Sequence, residues 1–370
     1  MFRQFLSLIL AGILCALSFS ASGAEKVLMV VSGHGTDSDE RRPGYEFDEF
    51  ALAYAIFTAN GLDVDIASPN GGEVTAGKFN KSKPYNAQLL ADTRAMAKLS
   101  QTISTASVDP EKYAAVFIVG GKGAVFDLPF DHALQRVITG IHQQEGIVSA
   151  VCHGPAALVD VKLADGSYLV AGKTVTGFTN DEEAAFAKEW QDKYPFSLQD
   201  RLVERGGRFE EVPIMLPNAI TTGRLITGQN PYSTILVAEA VVRATGREPV
   251  QRTIHSDERS MSLLSRVVAG DHVWAKDELA ANNAAYDIPL IGIWGHYALI
   301  GASGPDAIRH AVKAMELASP YMDKPMLQLS LAKGYLQLGA QDDARRVLME
   351  LISKAPDLQE AKDMLLKLEG

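Results

Sequence analysis

Short apolar runs alternate with longer amphipathic stretches over the first two-thirds of the chain, and small-residue loops separate them. Lys26–Gly33 (KVLMVVSG) is Val-rich and enters a glycine loop, which predicts a buried strand. Glu46–Gly61 (EFDEFALAYAIFTANG) has helical periodicity and stops at Asn60-Gly61, a C-cap signal. Leu62–Pro69, Tyr113–Gly121 and Ile147–Gly154 predict further strands, and Pro129–Gly146 and Gly154–Val161 (GPAALVDV) predict helices. Lys173–Phe178, Asn180–Tyr194 and Ala219–Gly246 continue the alternation, the last as strand, turn and helix. Strands alternating with helices predict an α/β fold, a doubly wound parallel sheet of flavodoxin-like type covered on both faces.

After Gly246 the strand pattern ends, and the chain turns helical and rich in Ala and Leu. From Leu331, Ala332, Tyr335, Gly339, Ala344 and Pro356 fall at the spacings of a helix-turn-helix tetratricopeptide repeat. A weaker copy precedes it: Tyr297 and Tyr335 are 38 residues apart, and Pro320 and Pro356 are 36 apart. The usual period is about 34. The predicted organisation is an α/β domain over 25–248, a helical linker over 249–286, and an all-α helical-repeat region over 287–370. Stacked helix pairs present a concave surface suited to a protein partner.

The N-terminus changes the picture of where the chain works. Arg3, the apolar run Phe5–Phe19 and the small-residue stretch SASGA follow the order of a secretory signal peptide over residues 1–24, cleaved near Ala24. The run is short for a membrane span, which needs about 20 apolar residues. The expected location is a bacterial periplasm or the exterior, with no membrane span. A net charge of −10 disfavours nucleic acid as a partner. Of the two cysteines, Cys15 leaves with the signal peptide, so Cys152 has no internal disulfide partner. A homo-oligomer is expected.

A lone thiol in an oxidising compartment is either buried and inert or used. Cys152 stands where a predicted strand meets a predicted helix, the place where doubly wound sheets carry reactive side chains. Such a strand-to-helix elbow exposes a nucleophile, and a helix N-terminus favours thiolate over thiol, lowering a reference pKa of about 8.5. Gly154 permits the tight backbone and Pro155 suits a first helical position. His153 acts as a proton acceptor only if a third group orients its ring. No Cys/His/acid cluster marks a metal site, and GKGAVF lacks the Gly-Lys-Ser/Thr ending of a phosphate loop. His34, His132 and His142 read as surface or structural residues.

The segment SAVCHGPAALV resembles the elbow of the PfpI superfamily, the class I glutamine-amidotransferase-like proteins. ASPNGG (67–72), VGGKGAVFDLP (119–129), VTGFTNDEE (175–183) and LITGQNPYST (225–234) extend the resemblance from about Lys26 to Gly246. It is nearest the glyoxalase III and chaperone branch, which implies cofactor-free conversion of 2-oxoaldehydes such as methylglyoxal to hydroxy acids. The implied site has Cys152 as nucleophile and His153 beside it. A helix glutamate twelve residues before Gly61 corresponds to Glu49, although Glu46 also heads an apolar stripe. Glu183, with Glu182 as fallback, orients His153, and the backbone amides of Gly121 and His153 form an oxyanion hole. Close relatives often carry histidine where Lys122 stands. The resemblance leaves open a cysteine peptidase or amidase, and a non-catalytic chaperone or redox sensor. The implied substrate is therefore a small aldehyde or a peptide.

Overall fold

The Val- and Ile-rich runs form the centre of one sheet in this computed structural model, which describes residues 25–36 and 42–369. The predicted export segment, residues 1–24, lies outside the described residues. Strands β1 (Lys26–Val30), β2 (Asp63–Ser68), β3 (Ile103–Ser104), β4 (Ala115–Ile118), β5 (Ile147–Val151), β8 (Ala219–Thr222) and β9 (Leu225–Gly228) join in the order β3-β2-β1-β4-β5-β9-β8. All neighbours are parallel except β8 and β9. The last predicted strand is therefore an antiparallel hairpin. Thr222 faces Leu225 across a two-residue loop, and Gly223 takes φ +61°, a conformation glycine adopts without strain. A second, two-stranded pair joins β6 (Thr174–Val175) to β7 (Arg208–Phe209).

Helices cover the sheet. They are α1 (Phe47–Ala59), α2 (Pro84–Ala91), α3 (Thr93–Ser100), α4 (Ala124–Asp127), α5 (His132–Gln143), α6 (Asn180–Phe186), α7 (Lys188–Gln191), α8 (Leu198–Glu204) and α9 (Thr234–Ala244). The helix predicted over Gly154–Val161 does not form. Gly154–Leu158 is a 3-10 turn held by bonds of the i to i+3 kind, from Ala156 N to His153 O and from Val159 N to Ala156 O. Every residue of that turn is buried, so its apolar character reflects the core rather than one face of a helix.

Ser256 begins a second helical layer of α10 (Ser256–Val268), α11 (His272–Asn282), α12 (Ile288–Ile300), α13 (Pro305–Ala318), α14 (Pro325–Gln337), α15 (Gln341–Lys354) and α16 (Gln359–Glu369). Successive helices from α12 onward pack on one another, as expected of a helical-repeat region. Gly295 lets α12 approach α13 closely, since a Cβ there would sit 2.7 Å from Met315 Cγ and 2.9 Å from Ala311 O. The segment read as a linker contributes to the same core, with Met261, Leu263, Leu264 and Val267 of α10 buried against it. This core continues onto the α/β domain. Leu216 is buried within it, and the Trp294 indole donates to Ile214 O at 2.8 Å. Tyr297 packs on Phe186 at 4.7 Å, and Tyr85 donates to Asp257 at 2.9 Å.

Candidate active site

The elbow is built from backbone. β5 ends at Val151, and the Cys152 amide donates to Gly228 O of β9 at 2.9 Å, so the sheet sets the position of the cysteine. Cys152 then takes φ +60°, a left-handed conformation that costs a non-glycine residue about 1–3 kcal/mol. Neighbouring glycines make the turn possible. A Cβ on Gly120 would sit 2.6 Å from Val151 O and 2.8 Å from Cys152 Cβ, and one on Gly154 would collide with Ile118 O. Strain of this kind persists only where surrounding structure fixes it, and it clusters at functional sites.

His153 folds back toward the sulfur. Its Nδ1 lies 3.3 Å from Cys152 Sγ and its Nε2 lies 2.8 Å from Glu183 Oε1. Phe178 stacks on the imidazole at 4.4 Å and holds its plane. All three polar residues are buried, with exposures of 3%, 2% and 5% for Cys152, His153 and Glu183. The adjacent carboxylates of α6 divide their work. Glu182 closes a capping box with Thr179 and accepts from Met215 N at 2.7 Å and from Asn230 Nδ2 at 2.9 Å. It therefore does not face His153, and the structure brings Glu183 to the imidazole instead of its neighbour.

Glu49 reaches the same place from α1. It is fully buried, accepts the Gly120 amide at 2.7 Å through Oε2, and bears on the Cys152 thiol. Burial raises its pKa well above the ordinary carboxylate value, and the neighbouring Glu46 raises it further. The thiol moves the opposite way from the helix-terminus expectation. Burial raises it, the Glu49 carboxylate raises it again with Glu46 adding to this, and the Gly121 amide directed at the sulfur lowers it. The short buried 3-10 turn that replaces the predicted helix offers little dipole to set against desolvation. Glu49 and Cys152 thus behave as one unit sharing a proton, in which a neutral carboxyl with a thiolate competes with a carboxylate and a thiol.

Glu46, the alternative acid from the helix pattern, acts on Glu49 and Cys152 only through its charge and faces a separate cavity. It lines a cavity of about 360 Å³ between α1, α9 and α10, along with Lys83, Tyr232 and Met261, and Cys152 is not among the lining residues. Burial pushes its carboxyl up to about 7, and burial pushes Asp127 up to about 6. Each then holds a proton in the folded chain at pH values where the unfolded chain has lost it. The contribution of Glu46 to stability falls as pH rises from about 4.5 to about 7, and that of Asp127 as pH rises from about 3.8 to about 6. Glu46→Gln removes one such group, so the melting temperature of the variant is expected to gain on the wild type between pH 5 and pH 8. A difference between the two proteins that stays constant across that range would show that Glu46 titrates normally.

Several ring contacts at the site had no signal in the sequence. Tyr194 lies with its ring 6.0 Å from His153 and 5.3 Å from Phe126. Phe126 in turn stacks on His34 at 4.5 Å and meets Trp190 edge-on at 5.9 Å. His34 is thus part of an aromatic wall, while His132 pairs with Gln135 on the surface of α5. Lys122 donates to Phe186 O at 3.0 Å. Among the described residues no group of three or more His, Cys, Asp or Glu side chains is placed to hold a metal ion. No helix among them is long and apolar enough to cross a membrane.

A strained cysteine, a histidine folded onto it and a buried helix glutamate come together just after the end of β5. Residues 42–244 match the DJ-1/PfpI family. The chain belongs to that family. Among curated relatives of this DJ-1/PfpI domain, a glutathione-independent glyoxalase of Schizosaccharomyces pombe (hsp3102) is 30% identical over 244 residues, covering 60% of this chain and 98% of that protein. Glyoxalase 3 of Candida albicans is 27% identical over 230 residues, covering 59% of this chain and 98% of its own length. The crystal structure of glyoxalase III from Candida albicans superposes with a TM-score of 0.55 at 25% identity, covering 60% of this chain and 97% of that one. That of the 24 kDa rapid encystment protein of Francisella tularensis gives 0.56 at 30%, covering 60% and 98%. The likeness supports a general function of glyoxalase type for the DJ-1/PfpI domain.

Proposed function

We propose that the α/β domain converts 2-oxoaldehydes such as methylglyoxal to 2-hydroxy acids, with water as the only co-reactant. The hydrogen-bonded run Cys152–His153–Glu183, with the buried carboxyl of Glu49 on the same sulfur, carries this reading. Cys152 Sγ forms a bond to the aldehyde carbon as the carbonyl oxygen takes a proton, giving a hemithioacetal. The amides of Gly121 and His153 steady the charge that develops on that oxygen. Glu49, freed of its proton in this step, removes the hydrogen on the former aldehyde carbon and returns it to the adjacent carbon. The hemithioacetal hydroxyl gives up its proton as it becomes the thioester carbonyl, the former ketone oxygen takes up that proton, and the product is a thioester of the hydroxy acid. Water activated by His153, whose ring Glu183 orients, then breaks the carbon–sulfur bond and restores the thiol. The overall change is addition of one water to the oxoaldehyde, a lyase-type reaction without net oxidation.

A carboxyl kept protonated by burial suits this relay, because it can give up and recover a proton near neutral pH. Lactate formed from methylglyoxal by the purified chain tests the reading. Cys152→Ser is expected to lower the rate by about 10⁴-fold or more, since the nucleophile of a cooperative unit carries nearly the whole rate. A wild-type chain that yields no lactate, or a serine variant of equal rate, would overturn the proposal.

A further inference from the structure

The Tyr194 hydroxyl is buried, and its oxygen has no hydrogen-bond partner. A buried hydroxyl in that state is unfavourable, and each one in a folded protein calls for an explanation. Packing alone does not supply it. The ring fills the space between Phe126 and His153, which phenylalanine would fill equally well. The hydroxyl adds only a donor and acceptor. Its ring lies 6.0 Å from that of His153, so it sits at the catalytic face. Burial raises its pKa far above the ordinary phenol value, so it remains a neutral donor. Glu183 Oε2 and Glu49 Oε1 are also without partners, and both carboxyls interact with the Cys152–His153 pair. Three unpaired polar atoms therefore belong to side chains that meet or act on the Cys152–His153 pair.

A 2-oxoaldehyde bound to that thiol offers a use for the Glu49 and Tyr194 oxygens. The aldehyde oxygen goes to the Gly121 and His153 amides, and Glu49 handles the migrating proton. The ketone oxygen remains. It becomes an enolate oxygen as the carbon-bound hydrogen is removed, and then a hydroxyl, so it needs a hydrogen-bond donor on the side away from the amides. We infer that Tyr194 is a catalytic residue whose hydroxyl donates to the second carbonyl oxygen of the substrate and stabilises the enolate formed there. The inference rests on the proposed glyoxalase reading and sharpens it, because it restricts good substrates to aldehydes with an adjacent carbonyl. The step changes no redox state. The proton removed from one carbon is returned to its neighbour, and the enolate oxygen takes the proton that the hydroxyl on the first carbon gives up as it becomes the thioester carbonyl, while Tyr194 keeps its own.

Tyr194→Phe in the full chain tests it, with three readouts. Turnover of methylglyoxal to lactate is expected to fall by about 10²-fold, the usual loss for one donor to a developing oxyanion. Cys152 alkylation by iodoacetamide is expected to keep its pH profile. Propionaldehyde, which has no second carbonyl, is expected to protect Cys152 from alkylation equally in both proteins. Unchanged lactate turnover in the variant would overturn the assignment and leave the proposed function standing. A shifted alkylation profile would also overturn it, since Tyr194 would then act through Glu183 and His153. A wild-type chain that makes no lactate would overturn the glyoxalase reading itself, and the role of Tyr194 with it.

Discussion

Glu49→Gln is expected to reduce lactate formation from methylglyoxal by about 10³-fold, within the range that general acid–base groups contribute, while Cys152 remains open to alkylation. Glutamine keeps the shape of the side chain and can still meet the Gly120 amide, so the helix and the elbow should be undisturbed. What disappears is a group that can lose and regain a proton beside the sulfur. Glu183→Gln should do less damage. That carboxylate touches the imidazole and not the thiol, and an amide oxygen can still accept from Nε2. Parallel rate measurements on the two variants, with alkylation as a check on folding, distinguish the roles. Small and equal losses would mean that the proton relay lies elsewhere.

Both carboxylates show where sequence reading stops. The elbow was legible because its chemistry is local: an apolar strand, a cysteine, and then Gly154 and Pro155, with glycines where backbones crowd. Glu46 and Glu49 stand one helical turn apart and head similar apolar stripes, so periodicity could not choose between them. The choice is made by the turn after β4, where Gly120 offers its amide to Glu49, while Glu46 faces a cavity against α10. Glu182 and Glu183 are adjacent on one helix and point to opposite sides, one to the loop at Met215 and the other to His153. The stretch after Cys152 misled for a related reason. Small apolar residues buried on every side have no period, and they suit a 3-10 turn as readily as a helix. Tyr194 lies in an irregular stretch after α7, where no pattern places a side chain in space.

Deleting Ser260–Gly370 is expected to leave a poorly soluble or strongly destabilised α/β domain with impaired turnover. The reason lies in the loop between β7 and β8. Leu216 is buried in the helical core, and Val212, Met215 and Tyr232 pack against that core, so truncation would expose a contiguous apolar surface. The same loop supports the site. Met215 is held at φ +58° with its amide on Glu182, and Glu182 caps the helix that carries Glu183 to His153. Trp294 supports this loop from α12 through its indole bond to Ile214 O. Trp294→Ala is therefore the gentler test. It should cost about 3–5 kcal/mol, the usual loss for a buried tryptophan, and lower turnover although the residue lies outside the catalytic group. Thermal melts and lactate rates on both variants check this. A truncated protein that stays soluble with unchanged oligomeric state, stability and activity would make the helical region an independent partner-binding arm. The loop at Met215 would then hold Glu182, and through it Glu183, without help from α12.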